Sequence, residues 1–371
     1  MLPVLPSTAD LQQLTSVRDD ASVTIYLPSS PLPRETDHTR MLLKSTVADA
    51  ARQLARKGVD AERVKEVIGT LEALDDDEEF WTPQARGLAI FAAPGTTRVF
   101  RLINNVQHHL AIGDRFDVGV LLRAVSFAHA AYVLTVTEGG IHLYGVSRDE
   151  PTRELDLPGL PDDLHSVLEY TIIEDDSAIP RAQGANGEKT EQQRYCRIVQ
   201  DAVLDRIEDS SLPLILAASR ELEPAYRAIN RYPQLAEQGI ETNPEALTPA
   251  KLTERARAVL DGLYREEIAA WGERFERQRN KDRATSDLGH VARAATASAI
   301  KELLFDMNSA LEGWIGDDGA LHLDDSAPST TYGVIDEIAA RVLRSGGTVR
   351  AVRAADVPNG SPVAAILRYP F

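Results

Sequence analysis

The sequence predicts a protein of mixed α/β and α+β class, and two kinds of segment support this. Short continuous apolar runs, such as Gly87-Leu88-Ala89-Ile90-Phe91, are typical of buried strands. Apolar residues at helical spacing, such as Leu43, Val47 and Leu54, indicate helices between the strands. The 371 residues suffice for two or three domains of about 100–200 residues each. We expect three domains, at 1–125, 126–250 and 251–371.

The region 1–125 is predicted to be an α+β domain. Ser22–Leu27 alternates between apolar and polar residues and ends at Pro28, as a strand that leaves into a loop does. Helices are predicted around 43–54 and 64–74, followed by an acidic turn at Asp75–Glu79. The remaining strands of this domain are predicted at 87–91, 99–103 and 108–112.

The region 126–250 has an α/β order of elements. Two strands, 131–136 and 141–146, are joined by Glu138-Gly139-Gly140, whose glycines suit a hairpin turn. A polar stretch rich in Pro, Asp and Glu follows, to about Glu188. We then expect a helix from Thr190, a buried strand at 212–218 and a helix at 223–230.

The region 251–371 is predicted to be an αβα sandwich. A long helix starts near Leu252, and Ser286 is a candidate N-cap for a helix at 288–300. A short strand at 303–305 and a helix at 334–343 come next. Gly346-Gly347 then ends that helix, because glycine adopts the left-handed cap conformation at little cost, and two strands close the chain.

Composition limits the classes of function. The formal net charge of −17 argues against coating nucleic acid through bulk charge, but it leaves room for a local basic patch. A lone cysteine, Cys196, excludes an internal disulfide and suits a reducing compartment. No apolar run approaches the roughly 20 residues of a membrane span, and the N-terminus does not resemble a signal peptide. We therefore expect a cytoplasmic protein.

The last strands resemble a known family. Gly346-Gly347-Thr348-Val349, the loop Pro358-Asn359-Gly360 and the ending Ile366-Leu367-Arg368-Tyr369 are similar to the C-terminal domain of the archaeo-eukaryotic peptide-chain release factors and Pelota. The order of elements in 126–250 resembles the middle domain of that family. Ile25-Tyr26-Leu27-Pro28 and Gly87–Phe91 resemble the N-terminal region of its bacterial branch. The resemblance implies an RNase-H-like middle domain and a C-terminal sandwich similar to kink-turn-binding ribosomal proteins.

The catalytic motif of that family is missing. Release factors carry Gly-Gly-Gln just before the long helix of the middle domain, whereas this sequence contains no Gly-Gly-Gln. The equivalent stretch, 182–189, keeps glycines and amides in a different order, and placing an attacking water tolerates little displacement. We therefore assign no catalytic residue. A loop without chemistry is one interpretation. A second is contact with rRNA or tRNA by this loop and the helix after it, with the candidate residues Gln183, Gly184, Asn186, Gly187, Lys189, Arg194 and Arg197. Retained hydrolase chemistry is the third.

Other motifs predict no metal, cofactor or phosphate loop. His108 and His109 are adjacent, so on a strand they point to opposite faces, and His142 is isolated. Asp75–Glu79 lacks the spacing of a calcium loop, and no P-loop motif is present. Basic residues also cluster at 274–283 and 341–353, where salt-bridged surface and phosphate contact are both open.

The sequence thus predicts a ribosome-associated translation factor, acting in rescue, hibernation or quality control, without the hydrolase motif. The resemblance also implies a translational GTPase as a possible partner. Two alternatives remain: a hydrolase or nuclease that uses the cleft of the middle domain, and a stress-related protein-interaction scaffold.

Overall fold

The computed structural model describes residues 6–30, 32–82, 84–102, 104–126, 130–137, 139–146, 152–158, 160, 185–207, 212–240, 247–323 and 332–371. Helices and strands mix throughout, which confirms the predicted class. The chain forms two compact units. The composite unit combines Pro3–Ala128 with Glu267–Phe371, and the middle unit is His129–Glu266. The regions predicted as first and third domains thus contribute mainly to one compact unit, and the three-domain division stays a prediction.

The composite unit begins with five helices and a four-stranded sheet. The helices are α1 (Thr8–Ser16), α2 (Pro33–Arg56), α3 (Ala61–Asp76), α4 (Glu78–Trp81) and α5 (Gly119–Ser126). The strands are β1 (Ser22–Pro28), β2 (Gly87–Ala93), β3 (Thr96–Leu102) and β4 (His109–Gly113). They are antiparallel in the order β3-β2-β1-β4, so β4 lies at an edge. The sequence did not predict α1, α4 or α5.

Side-chain caps fix several of these helix starts. Ser7 and Asp10 form a capping box at α1, and the Asp60 carboxylate accepts from the first amides of α3. The predicted acidic turn at Asp75–Glu79 is mostly helical. It ends α3, and Asp77 caps α4.

The middle unit is built on a second four-stranded sheet. Its strands are β5 (Ala131–Val136), β6 (Ile141–Val146), β7 (Arg153–Leu155) and β8 (Leu214–Ala218), in the order β7-β6-β5-β8. The predicted hairpin is antiparallel, whereas β5 and β8 are parallel. Its described residues form the helices α6 (Ala185–Arg206), α7 (Leu222–Ile229) and α8 (Pro249–Arg279), and α8 passes from the middle unit to the composite unit after Glu266.

The C-terminal part returns to the composite unit. Its strands are β9 (Ala284–Thr285), β10 (Ile300–Asp306), β11 (Glu312–Ile315), β12 (Leu321–His322), β13 (Tyr332–Gly333), β14 (Thr348–Val352) and β15 (Val363–Leu367). The helices are α9 (Leu288–Thr296) and α10 (Val334–Arg344). The main sheet has the order β14-β10-β15-β9, with β10 parallel to β14 and antiparallel to β15.

Two local predictions in this part were wrong. Asp287, not Ser286, caps α9, because its carboxylate accepts from the His290 amide at 2.7 Å. The predicted helix at 288–300 ends at Thr296, since Ser298 takes a left-handed φ of 57° and Ile300 begins β10.

One apolar core joins the two parts of the composite unit. It contains Tyr26 and Phe91 from the first sheet together with Phe305 and Ala365 from the last sheet, and helices α1, α5, α9 and α10 pack into it. The other face of the first sheet is covered by α2 and α3. The other face of the last sheet is covered by Trp271 and Phe275 of α8. The last sheet therefore has helices on both faces, as expected.

Candidate functional site

The predicted contact loop is largely helical. Helix α6 begins at Ala185, not at Thr190, so Asn186, Gly187 and Lys189 lie in its first turns. Good helix formers, Ala185, Glu188 and Lys189, outweigh one glycine there. Gln183 and Gly184 lie outside the described residues.

Helix α6 holds Arg194 and Arg197 in fixed positions. Between them Tyr195 and Cys196 are fully buried, whereas Arg194 is half-buried and Arg197 is exposed. The Tyr195 hydroxyl donates to the Thr137 carbonyl at 3.0 Å, which ties the helix to the end of β5. Residues three apart share a helix face, so the two guanidiniums stand on one side of α6. Neither forms an ion pair with a residue in the described ranges.

The other basic residues predicted as candidates are mostly neutralised. Arg274 pairs with Glu302 at 3.0 Å, and Arg279 pairs with Glu276 at 2.9 Å. Arg350 pairs with Glu267, and Arg341 pairs with Glu337. Their charge is compensated inside the protein, which leaves Arg194 and Arg197 as the best-placed cations of the predicted set.

The middle unit also contains a pocket of about 450 Å³ at the end of the β5–β6 hairpin. Thr135, Thr137, His142 and Tyr144 line it. The Nδ1 atom of His142 lies 2.6 Å from Oε1 of Glu154, and both side chains are about half exposed. No group of three or more His, Cys, Asp or Glu side chains in the described part of the chain is placed to hold a metal ion. The pocket therefore offers three hydroxyls and the imidazole of His142, which Glu154 contacts.

The two adjacent histidines have separate partners in the composite unit. His108 Nε2 lies 2.9 Å from Oγ1 of Thr46. His109 Nε2 lies 2.9 Å from Oδ2 of Asp117, and this hydrogen bond raises the pKa of His109 against the opposing effect of burial. Asp117 in turn accepts from the Gly119 amide at 3.1 Å.

A buried charge network lies beside this pair, and the sequence did not predict it. The Glu337 side chain is only 3% exposed and is surrounded by guanidiniums: Arg115 donates at 2.6 Å, Arg341 at 2.8 Å and Arg344 at 3.4 Å. Burial acts to raise the pKa of Glu337, but Arg341 and Arg115 together hold it below its usual value. A sequence signal existed, because Glu337, Arg341 and Arg344 are spaced along one face of α10.

The pKa of Asp336 is shifted in the opposite direction to that of Glu337. Burial raises its pKa to about 6, and the nearby charge of Asp117 adds to this against the attraction of Arg123. Arg123 donates to Oδ1 of Asp336 at 2.8 Å and to the Met307 and Ser309 carbonyls. Gly119 and Gly333 leave room for the carboxylate, since a Cβ at either position would collide with Oδ2 of Asp336.

A cleft of about 970 Å³ opens over this network within the composite unit. The edge strand β4, the end of α2 and helix α10 contribute to its walls. Its charged and aromatic lining consists of Arg18, Asp20, Arg56, Lys57, His109, Asp114, Arg115, Phe116, Asp117, Trp314, Asp336 and Glu337.

Of the helices in the described part of the chain, none combines the length and apolar character that a membrane span requires.

Comparison with known proteins shows that the middle unit is similar to a known family. Residues 128–266 match the model of a family described as bacterial archaeo-eukaryotic release factor family 11. This range agrees with the middle unit to within one residue. The predicted resemblance to the bacterial branch of the release-factor superfamily is thereby confirmed for the middle unit. No curated protein matches the chain.

The solved structures that match the chain include proteins from archaea and yeast. A model of ribosome-bound archaeal Pelota and ABCE1 contains a chain of 12% identity, with 99% of this chain and 95% of that chain covered and a TM-score of 0.41. Dom34 of S. cerevisiae, a translation termination-like factor that interacts with Hbs1, has 14% identity, coverages of 99% and 95%, and a TM-score of 0.33. Archaeoglobus fulgidus Pelota has 13% identity, coverages of 99% and 93%, and a TM-score of 0.32. Identities and TM-scores this low establish no shared function.

Proposed function

We propose, from the match of residues 128–266 to a bacterial release-factor family, that this chain is a ribosome-associated translation factor. The family match is the observation that carries the proposal. The arginines on α6 support it, because they carry positive charge next to the position of the release-factor motif and pair with no carboxylate that the structure describes. The work done at the ribosome would be rescue, hibernation or quality control.

Contact with RNA must be local in so acidic a chain. With a net charge of −17, the average surface repels phosphate, so binding depends on a few well-placed cations. Arg194 and Arg197 lie on one face of α6, and neither forms an ion pair with a carboxylate in the described part of the chain. In this proposal they contact rRNA or tRNA phosphates, and Gln183, Gly184, Asn186, Gly187 and Lys189 extend the contact.

Ribosome co-sedimentation tests this. Replacing Arg194 and Arg197 with Glu should abolish most of the bound fraction, and wild-type binding should weaken as salt rises, because phosphate contacts release counterions. The matched control replaces Arg220 and Arg255 with Glu. Both are exposed arginines of the middle unit, and the change in net charge is equal. Equal loss in both double variants, or binding that salt does not affect, would remove the basis of the proposal.

Peptidyl-tRNA hydrolysis is not part of the proposed function. The sequence lacks Gly-Gly-Gln, and residues 185–189 are helical. Purified chain added to ribosomes that hold labelled peptidyl-tRNA should release no more peptide than buffer does. Release above background that Gln183→Ala abolishes would contradict this.

The rival enzyme hypothesis has one specific observation in its favour, the 450 Å³ pocket with the His142–Glu154 pair. An imidazole beside a carboxylate can act as a general base. Hydrolysis of a model phosphodiester or ester that is lost in His142→Gln would support that hypothesis over ours. A translational GTPase as partner is a further part of the proposal and rests on the resemblance of the C-terminal strands alone.

A further inference from the structure

Three cations on the 970 Å³ cleft of the composite unit form no ion pair with a residue that the structure describes. Arg18 donates to the Thr15 and Val17 carbonyls. Lys57 donates to the Ile112 carbonyl. Arg56 forms no ion pair within the described ranges. All three side chains belong to exposed residues on the cleft wall.

Each carboxylate of the same cleft has a cationic partner, and Arg63, which pairs with Asp20, also pairs with Asp19. Asp20 pairs with Arg63 at 2.7 Å and Asp114 with Arg115 at 2.8 Å. Asp117, Asp336 and Glu337 are held by His109, Arg123 and the α10 arginines, as described above. The uncompensated charge that faces the cleft is therefore positive.

The guanidiniums around the cleft also repel one another. Partial burial lowers the pKa of Arg18, and repulsion from Arg344 and then Arg115 lowers it further against the attraction of Glu337 and Asp114. The pKa of Arg344 is lowered first by burial, while the attraction of Glu337 opposes the repulsion of Arg341 and Arg115. An anion bound among these groups would relieve this repulsion, as phosphate does when several guanidiniums converge on it.

An aromatic surface lies on the same cleft. The Trp314 residue is 38% exposed, one of the few large apolar residues left open to solvent. One face of its indole stacks on His322, with ring centroids 3.8 Å apart and planes 12° apart. A planar ring can stack on the opposite face. The edge strand β4 adds backbone polar groups along the wall, and a volume of about 970 Å³ lies within the usual range of ligand pockets.

From these features we propose that the cleft of the composite unit binds a nucleotide, with its phosphates at Arg18, Arg56 and Lys57 and its base on Trp314. This goes beyond the proposed function. None of these residues belongs to the middle unit, so failure of one proposal leaves the other standing.

Calorimetric titration of the full chain tests the proposal with ATP, AMP, adenosine, inorganic phosphate and a single-stranded RNA of about 15 nucleotides. ATP or AMP should bind more tightly than adenosine or phosphate alone, because each of those engages only half of the site. Arg18→Gln combined with Arg56→Gln should weaken nucleotide binding at least about tenfold. Trp314→Leu should weaken it by about fivefold or more.

The control is Arg52→Gln. Arg52 lies on α2 about one turn before Arg56, is exposed and pairs with Asp49 at 3.2 Å, so its loss should leave nucleotide affinity unchanged. Arg56 and Lys57 also stand at the C-terminus of α2, where cations stabilise the helix dipole. Thermal unfolding of each variant therefore accompanies the titrations, and only variants that fold like wild type are compared.

Four results would overturn the proposal. No heat with any nucleotide at about 1 mM is the first. Wild-type affinity in the folded Arg18/Arg56 variant is the second, and it would assign these cations to stability alone. Phosphate that binds as well as ATP would indicate a simple anion site. RNA that binds while mononucleotides do not would make the cleft a nucleic-acid surface.

Discussion

Arg115 donates a 2.6 Å hydrogen bond to the buried carboxylate of Glu337, across 222 positions of sequence. Arg115 follows the edge strand of the first sheet, and Glu337 lies on the helix that packs against the last sheet. The ion pair therefore fixes the N-terminal part of the composite unit to its C-terminal part at a point that water barely reaches.

Glu337→Gln should destabilise the chain strongly. Removing one carboxylate leaves Arg115, Arg341 and Arg344 facing each other without a counter-charge, which typically costs about 3–5 kcal/mol at a buried site. Urea unfolding at neutral pH measures the free energy of unfolding. Glu273→Gln is the control, since Glu273 is 76% exposed and should change that free energy by less than about 1 kcal/mol. An equal loss of the free energy of unfolding in the two variants would show that the buried network stabilises the chain no more than an exposed carboxylate does.

Asp336 should make the protein more stable as the pH falls through about 6. Its pKa in the folded chain is about 6, against 3.8 for an ordinary Asp. The folded state therefore binds the proton more tightly than the unfolded state does. The stabilisation from this proton is complete below the unfolded pKa and is lost as pH rises through the folded pKa.

The comparison with Asp336→Asn isolates this effect, because the other titrating groups are common to both proteins. Between about pH 7.5 and about pH 5, the free energy of unfolding of wild type should rise relative to the variant by on the order of 1 kcal/mol. Chemical denaturation at the two pH values measures it. A difference that stays constant, or falls, would show that Asp336 is ionised normally.

Gly347→Ala should destabilise the turn that follows α10. A Cβ there would lie 2.6 Å from Cγ1 of Val342 and 3.0 Å from the Ile300 carbonyl oxygen, so the helix or β10 must move. We expect a loss of about 1–3 kcal/mol. Gly69→Ala in α3 is the control with the opposite sign: nothing lies within 4 Å of its Cβ, and alanine favours a helix by about 1 kcal/mol. Thermal or urea unfolding should show a loss of stability in Gly347→Ala and a gain of stability in Gly69→Ala.

Cys196 should be unreactive while the chain is folded. It is fully buried on α6, and burial raises the pKa of its thiol to about 12, so almost no thiolate exists at neutral pH. A maleimide or disulfide reagent at about pH 8 should label the native chain slowly and the urea-unfolded chain at once. Because the chain has one cysteine, the readout has a single site. Rapid labelling without denaturant would mean that α6 opens readily.

The strands were predictable because burial on both faces produces continuous apolar runs. Gly87–Phe91, Ala131–Val136 and Val363–Leu367 could all be identified in this way. The short strands β9, β12 and β13 were not predicted, because each is two residues long and therefore too short to show any periodicity. The cap of α9 was misplaced by one residue because Ser286 and Asp287 are both good capping residues.

The charge network could be predicted only in its local part. Glu337, Arg341 and Arg344 share a helix, so their spacing suggests contact. The partnership with Arg115 depends on how two distant segments pack, which no local pattern encodes. The prediction of a loop at 182–189 was wrong for residues 185–189, and the reason is related. Its glycines suggested a loop, whereas the residues after Ala185 continue the helix that Tyr195 anchors.

The composite unit has a consequence for the order of folding during synthesis. When Glu266 has left the exit tunnel, every residue of the middle unit is available, and that unit can complete its core. The first sheet emerged much earlier, yet Tyr26 and Phe91 still lack the partners that residues 291–367 supply. The part of the chain made first therefore finishes folding last, and a sheet face that α1 and α5 cover in part waits for its remaining partners while about 200 residues follow it.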